Sequence, residues 1–140
     1  MTTDLLFAYG TLMKPWSHAA ARFLHENSEY LGTASLTGRL YDLGDYPGLI
    51  YDAGNSTQVQ GQLFRLKNPA QILPSLDDYE GASETSPESG LFRKELLPVL
   101  FGQRIFSAWV YTYNQPLNGA RLIPSGDYLS YTPDQARFRR

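Results

Sequence analysis

Leu5-Leu6-Phe7-Ala8-Tyr9-Gly10-Thr11-Leu12 is a short apolar run that ends in glycine and threonine just before a helical pattern begins. Such a run reads as a buried strand, about Leu5–Tyr9, feeding a tight turn. Gly10 tolerates backbone conformations closed to other residues and leaves room for a ligand to approach. The turn exposes backbone N–H groups from about Tyr9 to Leu12, and successive N–H groups of this kind can hold a carboxylate or phosphate. A plain strand-to-helix connection is the other reading of these residues.

Working outward, Trp16, Ala19, Ala20, Phe23 and Leu24 recur at helical spacing, with Pro15 suited to the helix's first turn. His18 and His25 lie seven apart, roughly on one face. They have no carboxylate at ligand spacing, so a surface or core role is expected and no metal site. From Tyr30 the pattern turns β-like: Tyr30–Thr37 and Arg39–Leu43 read as strands around Gly38. Asp45-Tyr46-Pro47-Gly48 reads as a turn, Leu49–Ala53 as a strand, Ala53–Ser56 as a loop and Gln58–Leu66 as a strand containing Gly61. Asn68-Pro69 suits a helix start, and Gly81 a helix stop. Pro74 is expected to divide this segment into two short turns. Ala82–Gly90 has the composition of an exposed loop. Phe92–Leu100 and Arg104–Tyr113 follow as strands, and after Asn114 comes a tail containing Ser125-Gly126-Asp127-Tyr128.

About six or seven strands and two short helices point to an α+β domain, a small mixed β-barrel or curled sheet with helices on its flank. A chain of 140 residues fits a single domain, 1–140, that can bury a core without staples. There are 10 tyrosines, and excess tyrosine serves either as extra core or as a cavity lining with polar tips.

The net charge of −2 provides no field to draw nucleic acid or an anionic membrane. The basic cluster Arg137, Arg139 and Arg140 reads as a solvated tail. The absence of cysteine excludes disulfides, thiolate catalysis and cysteine-held metal. The start, Met1-Thr2-Thr3-Asp4, lacks a basic leader and no segment reaches membrane-spanning length, so a cytoplasmic protein is expected. No Walker loop, dinucleotide fingerprint, Gly-x-Ser-x-Gly elbow or zincin helix is present, and two such histidines make a Ser-His-Asp triad improbable. No cofactor is therefore expected, and the candidate acids and bases are carboxylates.

The densest acidic stretch is Leu76-Asp77-Asp78-Tyr79-Glu80-Gly81. On a helix Leu76 shares a face with Tyr79 and Glu80, so Glu80 points the way an apolar residue points. A carboxyl aimed into an aromatic cavity has its pKa raised by desolvation, as a general base near neutral pH requires. Asp77 and Asp78 are expected to face water. On these residues alone a solvated acidic turn is the competing reading.

Tyr9-Gly10-Thr11-Leu12, Pro47-Gly48-Leu49, Leu76–Gly81 and Phe92-Arg93-Lys94-Glu95, in this order and spacing, resemble the gamma-glutamylcyclotransferase-like family, which includes AIG2-like proteins and gamma-glutamylamine cyclotransferases. The resemblance runs from about Leu5 to Tyr113, and Gly126-Asp127-Tyr128 is similar to the family's tail. It implies a small mixed β-barrel with flanking helices, a substrate loop at Tyr9–Leu12 and Glu80 as acid/base. Two departures stand out: Met13 and Lys14 follow the turn where many relatives carry Arg, and Phe92 stands where many carry Tyr.

The resulting expectation is cofactor-independent cyclotransfer on a gamma-glutamyl amine or peptide, with release of 5-oxoproline. Glu80 is catalytic. Tyr9, Gly10, Thr11, Leu12, Pro47, Gly48, Phe92, Tyr111 and Tyr113 are the substrate-contact candidates, and metal ligands are none. Tyr111 and Tyr113 share a face by alternation. The alternatives are a non-catalytic domain of the same fold that binds an acidic or acylated metabolite, and an interaction domain. The expected partner is a small gamma-glutamyl molecule, not nucleic acid or membrane.

Overall fold

The computed structural model describes residues 3–54, 57–82 and 90–131. The elements are β1 (Leu5–Ala8), α1 (Ala19–Glu26), β2 (Ser28–Asp42), β3 (Pro47–Tyr51), β4 (Gln58–Leu66), α2 (Pro69–Glu80), β5 (Phe92–Phe101), β6 (Arg104–Tyr113) and β7 (Arg121–Leu122). A 3-10 turn, Leu129–Tyr131, follows. Asn55, Ser56, most of the Ala82–Gly90 loop and the cluster Arg137, Arg139 and Arg140 lie outside the described residues.

Five strands run in the order β2-β4-β1-β6-β5, and a β2–β5 pairing at Ser35 and Leu100 closes them into a mixed barrel. β1 is its central stave. It pairs antiparallel with β4 and parallel with β6, so both of its edges are hydrogen-bonded. Leu5, Leu6, Phe7 and Ala8 are all buried, which explains a continuous apolar run in place of an alternating one. Leu6, Phe64, Leu36, Val59, Val99 and Val110 share that core.

Several sequence expectations are corrected. β2 is one strand of 15 residues, not two around Gly38, because its ladder to β4 continues from Ser35 to Thr37 while its ladder to β3 begins at Gly38. The turn before β3 falls at Leu43–Tyr46, closed by a 3.0 Å bond from Leu43 N–H to Tyr46 O. Pro47 and Gly48 belong to the strand itself, and a first strand position tolerates proline. α1 begins at Ala19 with His18 as its cap, so Pro15 and Trp16 precede the helix.

Pro74 does not divide α2, which is continuous from Pro69 to Glu80. Proline removes the hydrogen bond to the carbonyl four residues back. Pro74 and Ala70 are both exposed, so the orphaned carbonyl meets solvent. The opposite face, Ile72, Leu73, Leu76 and Asp77, is buried and holds the helix on the barrel. Gly81 ends the helix in the left-handed conformation at φ 69°, which fixes the direction of Glu80 just before it. Among the described residues no helix is long and apolar enough to cross a membrane.

Candidate functional site at the barrel mouth

β1 and β6 run parallel, so their C-terminal ends share one end of the barrel, together with the starts of β3 and β5. There the chain leaves β1 through Tyr9–Leu12, and the end of α2 comes alongside. These segments enclose a cavity of about 170 Å³. Of the candidates named from sequence, Glu80, Tyr9, Gly10, Thr11, Leu12, Pro47, Phe92 and Tyr111 line it. Gly48 and Tyr113 do not. They pack on each other, with the Cβ of Tyr113 3.0 Å from where a Gly48 side chain would begin, and Tyr113 lies edge-on to Phe92.

Tyr46, Tyr79 and Leu91 also line the cavity, and sequence reasoning missed them as site residues. Tyr79 and Leu91 flank the helix stop and the next strand, so their nearness to Glu80 and Phe92 in the chain was the available signal. Tyr46 carried a weaker one, its place beside Pro47.

Glycine at position 10 is explained by close approach, because Gly10 is not among the positive-φ glycines. A Cβ there would stand 2.8 Å from Pro47 Cγ, so the turn and β3 are packed backbone against ring. Gly10→Val is therefore expected to push the turn off Pro47. Overpacking of this kind costs about 1–3 kcal/mol and leaves a folded barrel. Calorimetry with 5-oxoproline should find no binding to the variant, and binding at the parent's affinity would make the turn merely structural.

Tyr9 braces the floor. Its hydroxyl donates to Tyr111 O and accepts the Leu49 N–H at 3.2 Å, tying β1, β3 and β6 together. Burial, and then the nearby Glu80, raise its pKa well above 10.0, so it remains a neutral donor. Tyr111 is held from the other side, donating its hydroxyl to Asp77 Oδ1 at 2.6 Å. Asp77 also takes an ion pair from Lys94 Nζ at 3.0 Å. Lys94 in turn lies 5.1 Å from the Trp109 ring centre. Asp77 is therefore buried and partnered, contrary to the expectation that it faces water, whereas Asp78 is exposed as expected.

Glu80 differs from Asp77 in having no hydrogen bond or ion pair among the described residues. Its carboxyl stands among Tyr9, Tyr46 and Tyr79, whose pKa values it helps raise. Desolvation lifts the Glu80 pKa from 4.5 to about 8. The folded state thus holds a proton that the unfolded chain releases. Stability from this group is fully present below pH 4.5 and is lost as pH rises towards about 8. With partial exposure discounted, the loss is roughly 2–4 kcal/mol. Denaturant melts of the parent should show this decline, and Glu80→Gln should remove it, leaving the variant more stable than the parent at the alkaline end. Parallel pH profiles for the two proteins would show that the carboxyl titrates normally.

Comparison with known proteins agrees with this architecture. Residues 6–130 match the family model described as gamma-glutamyl cyclotransferase, AIG2-like. The chain is 34% identical over 131 residues to the gamma-glutamylcyclotransferase family protein YtfP of Escherichia coli, covering 89% of this chain and 95% of that protein. It is 30% identical over 132 residues to a putative gamma-glutamylcyclotransferase of Vibrio cholerae, covering 89% and 94%. The solution structure of the Escherichia coli ytfP protein superposes with a TM-score of 0.64 at 29% identity, over 91% of this chain and 98% of that one. A mouse AIG2-like protein has the same fold, with a TM-score of 0.61 at 22% identity over 80% and 78% of the two chains. The barrel, the mouth built on Tyr9–Leu12 and these matches together place the chain in the gamma-glutamylcyclotransferase-like, AIG2-like family.

Proposed function

We propose that the protein cyclises a gamma-glutamyl amine or peptide to 5-oxoproline and the free amine. The observation that carries this reading is the Glu80 carboxyl, without a partner among the described residues, in a tyrosine-lined cavity with a pKa of about 8. A pocket for a ligand without a cationic group gains nothing from such a group. Burying an unpaired carboxyl costs free energy, whereas a base poised near neutral pH needs that environment.

The substrate's α-amine attacks its own γ-carbonyl. A free α-amine has a pKa of about 8 and is mostly protonated at neutral pH. Glu80 is matched to it, so proton transfer between them is close to balanced. An incoming ammonium favours the Glu80 carboxylate. The α-nitrogen first gives up one proton to solvent, which frees its lone pair, and Glu80 takes a second as the C–N bond of the ring forms. The resulting carboxylic acid returns the proton to the departing nitrogen as the amide bond breaks. One group thus serves as base and then acid. The N–H groups of Gly10, Thr11 and Leu12 have no hydrogen-bond acceptor among the described residues, which suits them to the substrate's α-carboxylate. Holding the chain bent supplies much of the acceleration, since effective molarities for oriented intramolecular attack reach roughly 10⁵–10⁸ M.

The test is release of 5-oxoproline from a panel of gamma-glutamyl amines and peptides by the purified protein. Turnover of at least one is expected. A protein that binds 5-oxoproline but turns over none of the panel is a binding module.

A further inference from the structure

His18 and His25 take no part in the proton transfers above and do not line the cavity. Both rings nevertheless reach the turn. His18 Nε2 is 2.7 Å from Thr11 O, and His25 Nε2 is 2.8 Å from Leu12 O. A carbonyl only accepts, so both Nε2 atoms carry the proton. His18 Nδ1 accepts the Ala21 N–H at 3.3 Å and caps α1, which makes the ring a neutral Nε2–H tautomer. Its face stacks on Tyr79 with ring centres 5.5 Å apart. Tyr79 reaches back to the turn, its Oη 3.1 Å from Thr11 Oγ1. The His25 ring stacks on Phe64 in the core, again at 5.5 Å.

A trans peptide is planar, with its C=O and N–H pointing in opposite directions. Pinning Thr11 O to His18, which does not line the cavity, therefore turns the Leu12 N–H away from His18. Pinning Leu12 O to His25 fixes the Met13 N–H, which donates to Gly10 O at 3.1 Å. That bond fixes the Gly10–Thr11 peptide and, with it, the Thr11 N–H. Each histidine thus sets one N–H group of the turn through a rigid peptide plane.

We propose that His18 and His25 are positioning residues for substrate carboxylate binding, holding the carbonyls of the turn outward so that its N–H groups face the cavity. The inference rests on the proposed function only in assigning a carboxylate to the turn. It predicts that affinity and stability separate at position 18. Asparagine is a good helix cap but too short to reach Thr11 O. Glutamine loses the cap acceptor but presents an N–H donor near the Nε2 position.

The experiment measures thermal midpoint, 5-oxoproline Kd and, for a gamma-glutamyl amine, KM and kcat on the parent, His18→Asn and His18→Gln. His18→Asn is expected to melt near the parent, with Kd and KM raised about 10- to 100-fold and kcat changed less. His18→Gln is expected to melt lower yet bind more tightly than His18→Asn. An unchanged Kd in His18→Asn, or affinities that follow the melting order of the two variants, overturns the inference. If the parent binds 5-oxoproline without turnover, weakened binding in His18→Asn still supports the clamp while the proposed reaction fails. If the parent neither binds 5-oxoproline nor turns over any gamma-glutamyl amine, both fall.

Discussion

Glu80→Gln is expected to lower turnover of a gamma-glutamyl amine by about 10²–10⁴-fold while leaving ligand binding in place. The variant keeps the shape of the side chain at the end of α2 and removes only its ability to take a proton. The loss corresponds to roughly 3–5 kcal/mol of barrier. On the proposed reading, binding of 5-oxoproline, which carries no ammonium, should survive because the turn at Gly10–Leu12 and the tyrosines, not the carboxylate, would hold it. Asp78→Asn is the matched control. Asp78 is exposed, two residues earlier on the same helix, and points to solvent. Its variant should turn over like the parent. Normal turnover by Glu80→Gln would show that another group moves the proton.

Asp77→Ala is expected to destabilise the fold by about 3–5 kcal/mol, the usual result of removing one member of a buried ion pair. The change takes one carboxylate contact from Lys94 and from the Tyr111 hydroxyl, while both side chains stay largely buried. For a chain of this length the thermal midpoint should fall roughly 10–15 °C. Asp78→Ala should shift it by no more than a degree or two, as a surface substitution does. Any fall in activity of Asp77→Ala should come mainly through KM, because Tyr111 belongs to the cavity wall and not to the proton path. A midpoint unchanged from the parent would mean that the Asp77–Lys94 pair contributes no more than a solvated one.

The contrast between Asp77 and Glu80 shows where local reading succeeds. Leu73, Leu76, Asp77 and Glu80 fall at i, i+3, i+4 and i+7, so both acids lie on the inward-facing stripe of α2, Asp77 buried and Glu80 half-buried. Counting from Leu76 alone brings Glu80 inward and sends Asp77 to water. Counting from Leu73 brings both inward. What spacing leaves open is which acid is partnered, because Lys94 and Tyr111 come from β5 and β6, 17 and 34 residues further along the chain.

Strand β1, the helix start at Asn68-Pro69, the stop at Gly81 and the β5–β6 pair were legible because each carries its own signal: an apolar run, a proline in the first turn (the Asn68 side chain itself makes no capping bond), a left-handed glycine, an alternation. Three features were not. The continuity of β2 through Gly38 depends on ladders to both β3 and β4. The survival of α2 through Pro74 depends on which side of the helix meets solvent. His18 and His25 sit on one helical face, as their spacing indicated, but the carbonyls they hold belong to a turn that folds back over that face. In each case the deciding partner is distant in the chain or set by burial.

Intramolecular attack is tested most directly by running the reaction in oxygen-18 water and following both products. The expected result is 5-oxoproline and free amine in equal amounts, with no heavy oxygen in the lactam carbonyl, because the nucleophile is the substrate's own α-amine. Glutamate carrying oxygen-18 in its γ-carboxyl group would mean that water is the nucleophile, and would contradict cyclotransfer at the Glu80 cavity.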